Sequence, residues 1–207
     1  MKGFDMRYSW IAVIAAVLIS ISSMAQADSP NSVIEESVAV LTEKLDGRKA
    51  EFAADRPALY ELIDSILLPR FDRKFAAQAV LAKHWRTASS EQRERFIEAF
   101  YQALMRRYAD GILEFDPNRI TILPFRGDDS KKRTKVRTTV ELDDGSKVAV
   151  DYDLVKRGSD WLVFNVVVEG VSYIRNFRAE LESEINSSSL DAVITRLEKE
   201  AGTAADG

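Results

Sequence analysis

Few side chains in this sequence have the type and spacing for chemistry. Its single histidine, His84, stands beside Trp85 and reads as an ordinary packed or surface group. There is no cysteine, so a transition-metal site would have to rest on carboxylates, which favour hard ions. The closest approach to paired acids is Asp151 and Asp153, which alternate with Val150, Tyr152 and Leu154. At that spacing they share one face of a strand, where they read as solvated partners of Lys or Arg across the ladder. Asp143 and Asp144 precede Gly145 and read as a hairpin turn. The run Lys131-Lys132-Arg133 with Lys135 and Arg137 reads first as a solvated face, and has the charge to dock a phosphate. No GxSxG elbow, HExxH, Walker loop or GxGxxG is present. Nothing in this set asks for catalysis.

What the sequence supplies instead is apolar wall. Val148, Val150, Tyr152 and Leu154 alternate as in a half-buried strand. After a turn at Arg157-Gly158-Ser159-Asp160, residues 161–168 run almost without a polar residue, broken only by Asn165. A strand apolar on both faces is covered on both faces, or covers something that is not protein. Which face of it looks inward is not fixed by alternation. Upstream, 132–142 places Val136, Thr138, Val140 and Leu142 opposite Lys135, Arg137, Thr139 and Glu141. A short edge strand carrying Pro124 is expected over 120–125. These four form an antiparallel meander.

The remainder reads as helices. Ser32 and Glu35 make a capping box for a helix that Gly47 stops. Asp55 caps the next, which Pro69 ends, and Asp72 starts a short third. A long helix begins near Thr87 or Ser89 and ends near Ala109-Asp110-Gly111. Its stripe of Phe96, Ala99, Phe100, Ala103 and Leu104, widened by Tyr101, Met105 and Tyr108, predicts an amphipathic helix across the sheet. Ser172 or Asn176 caps a further helix, and Ser189 the last. Residues 201–207 read as a disordered tail.

The first 27 residues read as a cleaved signal peptide. Lys2 and Arg7 precede the twelve-residue apolar run 10–21, and Ala25-Gln26-Ala27 supplies small residues for cleavage. That run is shorter than the about 20 residues of a spanning helix. Residues 28–200 then form a single domain. The 29 basic and 33 acidic residues become 27 and 32 once Lys2, Arg7 and Asp5 are removed. An exported, acidic chain without disulfides fits a periplasmic protein and argues against a nucleic-acid partner.

Two stretches carry a family resemblance. HWRTASSEQRERFIEAFYQALMRRYADGILEF resembles the tryptophan-arginine start and long helix of the MlaC family. VDYDLVKRGSDWLVFNVVVEGVSYIRNFRAEL is similar to that family's V-x-Y-x-L strand, W-x-V strand and Gly-Val-Ser step. The likeness extends from Ser32 to Leu197, with Asn165 standing where the family more often has aspartate. It implies an α+β fold similar to the nuclear-transport-factor-like cone. A curved four-stranded antiparallel sheet would be wrapped by six or seven helices around a deep apolar pocket.

It further implies a periplasmic carrier, with no catalysis and no cofactor beyond its cargo, that holds one phospholipid with tails buried and headgroup exposed. Its partners would be an outer-membrane lipoprotein–porin complex and the inner-membrane MCE-domain protein of an ABC transporter, and its role the maintenance of outer-membrane lipid asymmetry. The expected tail-binding residues are Phe100, Leu104 and Tyr108 on the long helix. From the strands come Val136, Val140, Val148, Val150, Tyr152, Leu154, Phe164, Val166 and Val168. Each reads equally as sealed core. Arg107, Lys135 and Arg137 are the expected weak headgroup contacts. Two rivals remain open: an isomerase- or dehydratase-type enzyme on the same cone, which needs a sealed-in acid, and an adaptor that binds apolar protein segments in an open groove.

Overall fold

The alternation read in the strands sets the layout. The computed structural model describes residues 29–203, so the expected leader and residues 204–207 lie outside the described residues. Strands β1 (Ile120–Ile122), β2 (Arg133–Glu141), β3 (Lys147–Arg157), β4 (Asp160–Val168) and β5 (Val171–Ser172) form one sheet in chain order. Every pairing is antiparallel. The fifth strand exceeds the four expected. Glu169 and Gly170 do not simply end β4 but turn it back, with φ of 48° and 79°. Two successive positive φ values are what a tight two-residue hairpin requires. At the other edge β1 stops at Ile122, before Pro124, because proline has no N–H to give a ladder.

Helices α1 (Pro30–Leu45), α2 (Lys49–Ala54), α3 (Arg56–Leu67), α4 (Arg73–Leu81), α5 (Lys83–Thr87) and α6 (Ser90–Leu113) precede the sheet. Helices α7 (Tyr173–Ser187) and α8 (Leu190–Thr203) follow it. Several sequence signals act as read: Asp55, Asp72, Ser172 and Ser189 each cap a helix through a backbone N–H. Ser89 and Gln92 close a reciprocal capping box on α6. Others act differently. The cap of α1 is Ser29, whose Oγ accepts the Ser32 N–H at 3.1 Å, because Pro30 is preset for the first helical position. Gly111 does not stop α6, which continues to Leu113. Helix α8 runs through Ala201 to Thr203, where a tail was expected.

Three apolar cores result. The first joins α4, α6, α7 and α8 through Val80, Phe96, Phe100, Phe177, Leu181 and Ile194. The second joins α1, α2, α3 and the end of α6 through Leu41, Leu45, Phe52, Leu59, Ile63 and Ala109. The third seats Val33 and Ile34 of α1 on Val136, Leu154 and Trp161 of the sheet. Helix α1 thus serves two cores, one with each half. Helix α6 does not lie across the sheet as its amphipathic stripe suggested; it packs on α8, α4, α3 and α2. Its wide apolar surface is satisfied by other helices.

Candidate functional site

The register divides the sheet into two faces. Val136 pairs with Tyr152, Thr138 with Val150 and Val140 with Val148. Tyr152 then pairs with Val166 and Val150 with Val168. Cross-strand partners share a face, so these residues form one wall with Ile120, Ile122 and Val171. A register shift beyond Asp153 makes Leu154 pair with Val163, which leaves Phe164 as an extra residue. The bulge resolves the unbroken apolar run of β4: Trp161, Val163, Val166 and Val168 face α1. Phe164 turns to the other side, its ring edge-on to Phe75 of α4 at 4.8 Å. The expectation that Phe164 joins Val166 and Val168 in one wall is corrected by this bulge.

Burial changes along the wall. At one end Val136 and Leu154 are wholly buried and Trp161 is 3% exposed, sealed by α1. Toward the β2–β3 hairpin, Ile120, Val140, Val148, Val150, Tyr152, Val166 and Val168 are half-buried. Leu142 and Val171 stand 45% and 49% exposed. The hairpin end opens into a cleft of about 1440 Å³, whose apolar lining includes Leu45, Ala50, Phe115, Ile120, Val140 and Leu142. Across from the sheet the cleft is bounded by the end of α1, the start of α2 and the end of α6. Gly111 and Phe115 on it extend the Leu104–Tyr108 line at helical spacing. Sequence reading missed Leu45, Phe115, Ile120 and Leu142. Two signals were available for them: Leu142 completes the Val136–Thr138–Val140 alternation, and Phe115 continues the α6 stripe.

The other expected residues are placed as follows. Phe100 lies in the helical core, stacked on Phe96 and edge-on to Phe177. With Leu104 it lines a void of only about 10 Å³, about one water's worth. Tyr108 stacks on Tyr173 with ring centroids 5.5 Å apart. These three do not join the sheet wall in a single lining, because α6 packs on helices.

The three expected headgroup cations also lie away from the cleft. Arg107 sits over the Phe177 ring and 3.9 Å from Glu200. Lys135 and Arg137 occupy the opposite face of β2, where Lys135 reaches Asp151 at 2.9 Å and Asp153 at 3.7 Å. Strand alternation itself puts them there. The cleft carries Lys49 and Arg119 instead, among the six acids Asp46, Glu114, Asp116, Glu141, Asp143 and Asp144. Lys49 donates to the Phe115 carbonyl at 2.6 Å, and Arg119 pairs with Asp143 and Asp116.

Polar groups on the wall are few. The Thr138 hydroxyl donates to the Val150 carbonyl at 2.8 Å, and burial pushes the Tyr152 phenol above its ordinary range. Asp151 and Asp153 are on the far face, and Asn165 joins them there. Its amide donates to Asp153 at 2.7 Å, and its oxygen accepts from Ser172 and from the Ile174 N–H at 3.1 Å each. This network fastens the start of α7 to the sheet. Among the described residues no group of three or more His, Asp or Glu is placed to hold a metal ion, and no helix is long and apolar enough to cross a membrane.

Fold and cleft together define a small α+β domain with an open cleft between its sheet and helices, lined by apolar and charged residues alike. The chain belongs to the MlaC family, whose sequence profile, described as MlaC protein, matches residues 35–199. It is 30% identical over 171 residues to the toluene tolerance protein ttg2D of Pseudomonas putida, covering 81% of this chain and 79% of that one. It is 21% identical over 192 residues to the intermembrane phospholipid transport system binding protein MlaC of Haemophilus influenzae, covering 91% and 89%. A phospholipid-binding protein from Ralstonia solanacearum, solved in complex with a phospholipid, shares the fold with a TM-score of 0.73. There the identity is 21%, over 84% of this chain and 97% of that one.

Proposed function

We propose that this protein is a phospholipid carrier of the Mla system. It would sheath the acyl tails between the inner sheet wall and the ends of α1 and α6, and leave the headgroup in water. The observation that carries this is the half-buried apolar wall, Val140, Val148, Val150, Val166 and Val168, whose Val140 end borders a large cleft. The relative named for phospholipid transport and the phospholipid-bound neighbour support it. Physical need agrees with it. Two tails carry about 30 methylenes, and at about 0.8 kcal/mol each their exposure costs roughly 24 kcal/mol. Passage of one lipid through water therefore needs a protein that supplies apolar surface and little else. The shuttle would run across the periplasm between an outer-membrane lipoprotein–porin complex and an inner-membrane MCE-domain protein, in the service of outer-membrane asymmetry.

No reaction is part of this reading. Asp151 and Asn165, the residues that a cone-fold enzyme could draw on, lie on the far face of the sheet with Asp153 and give the wall no general base. The open mouth of the cleft fits a second reading, an adaptor for apolar protein segments. The two are separated by native mass spectrometry of residues 28–207 purified from a bacterial periplasm without detergent. A phospholipid-sized adduct on each chain, lost in Val150→Asp and Val166→Asp variants that still melt cooperatively, is the expected result. A bare mass, or lipid retained in both variants, overturns the carrier reading or its placement in the cleft.

A further inference from the structure

The basic run of residues 131–137 takes no part in the cleft, and its place in the fold is a definite one. Arg133, Lys135 and Arg137 stand exposed in a row on the outer face of β2, with Lys131 and Lys132 exposed just before the strand. Lys132 is tied to the end of β3, its carbonyl accepting the Lys156 N–H at 2.9 Å. There the guanidinium groups of Arg133 and Arg157 lie over the ring of Phe75, 5.6 Å and 5.2 Å from its centroid. Lys74 is exposed next to that ring on α4. Helices α4 and α7 pack on the sheet at β4, so the outer face of β2 is left to solvent.

Ion pairing does not use up this charge. Lys131 pairs with Asp128, Lys135 with Asp151 and Asp153, and Arg157 with Asp72. Among the described residues Lys74, Lys132, Arg133 and Arg137 have no carboxylate partner, while of the acids nearby Asp129 and Asp160 are left without a cation. The cleft end has the opposite balance, with six acids and two cations along it. Arg133 and Glu141 mark the two ends of β2, and eight steps of about 3.3 Å put about 26 Å between them. Charge is thus separated along the sheet of a chain that is acidic as a whole, which orients the molecule in an external field.

We infer that the outer face of β2 from Lys131 to Arg137, with Lys74 and Arg157, is a weak docking surface for an anionic lipid bilayer, on which the protein rests with its cleft turned away. Charge complementarity chooses the occupant. An exposed row of Lys and Arg matches a plane of phosphates, to which each such side chain adds about fivefold in affinity, and arginine adds paired hydrogen bonds to phosphate oxygens. The same plane repels the acid-lined cleft, so both ends of the molecule favour one orientation. This surface does not depend on what fills the cleft, and its failure leaves the carrier reading untouched.

Co-flotation of the full mature protein with vesicles tests this, with phosphatidylglycerol mixed into phosphatidylcholine as the anionic probe and pure phosphatidylcholine as the neutral one. Binding is expected on the anionic vesicles alone, falling as salt is raised toward 0.5 M, where screening acts within about 4 Å. The triple variant Lys132→Gln, Arg133→Gln, Arg137→Gln loses on the order of 100-fold in affinity. The equally charged variant Lys44→Gln, Arg86→Gln, Lys147→Gln, altered at exposed sites elsewhere, stays near the wild type. The chain has no cysteine, so a fluorophore on Ser130→Cys or Ser146→Cys reads the orientation. Bound to vesicles, the label at 130 is shielded from acrylamide and the label at 146 is not. Equal losses in the two triple variants, or shielding at 146 in place of 130, overturn the surface. A wild type that floats with neither vesicle, or with both alike, overturns the bilayer as its occupant.

Discussion

Asn165 is 6% exposed and sits where three polar groups need it. Its oxygen serves Ser172 and the Ile174 N–H, and its NH2 serves Asp153. Asn165→Asp keeps the acceptor for α7 but replaces the donor with a second carboxylate. A hydrogen bond to a charged group, worth about 1.5–3 kcal/mol, is lost. Two like charges about 4 Å apart add about 4 kcal/mol at an effective dielectric constant of 20. Lys135, 3.7 Å from Asp153, offsets part of this. Proton uptake limits the rest, since holding a carboxyl proton three pH units above its ordinary value costs about 4 kcal/mol. The expected loss is therefore about 2–4 kcal/mol at pH 7.5, measured by urea denaturation. The folded variant binds a proton that its unfolded chain does not hold at neutral pH, so the deficit shrinks as pH falls toward 4.5. Asp153→Asn added to the variant restores a donor–acceptor pair with its polarity reversed and recovers most of the loss. Equal stability of wild type and Asn165→Asp at both pH values would refute the reasoning.

Two further outcomes follow from single side chains. Tyr101 is 1% exposed and donates to Asp64 at 2.8 Å, and burial holds its phenol proton well above the ordinary range. A raised folded value means stability that is intact below about pH 10 and is lost as pH rises beyond it. Tyr101→Phe should flatten the alkaline limb of a stability–pH curve, at a cost of about 1 kcal/mol near neutrality. A limb of unchanged steepness rejects the assignment. Ser89→Ala removes one half of the α6 capping box and should cost about 1 kcal/mol, read as a lowered Tm. A variant that melts with the wild type would mean that tertiary packing alone fixes the start of α6.

The strands were legible because their alternation is strict: the β2–β3 pairing joins the very residues whose period marked them as one face. Caps were legible where a side chain decides them, as at Asp55, Asp72 and Ser89. Three things were not. Phe164 was misplaced because a bulge changes the parity of a strand without any mark in an all-apolar run. Helix α6 was laid on the sheet because amphipathicity shows that a face is buried and not against what. The cleft lining at Leu45 and Ala50 comes from the end of α1 and the start of α2 brought together by tertiary packing, which no local period encodes. Lys135 and Arg137 have the parity of the far face, so the same alternation that marks the wall places them away from the cleft.

Helix α1 has a consequence of a mechanical kind. Its 16 residues, about 24 Å long, form a beam with two anchorages: Val33 and Ile34 on the sheet, Leu41 and Leu45 on α2 and α3. The cleft opens beside the second anchorage. Deflection at the Leu45 end changes the aperture while the Val33 end stays fixed. The strands are hydrogen-bonded to one another, and the bond from the Asn31 amide to the Leu123 carbonyl, just past β1, lies at the fixed end of the beam. Such a movement exchanges side-chain contacts, which re-form, and leaves every rung of the ladder in place.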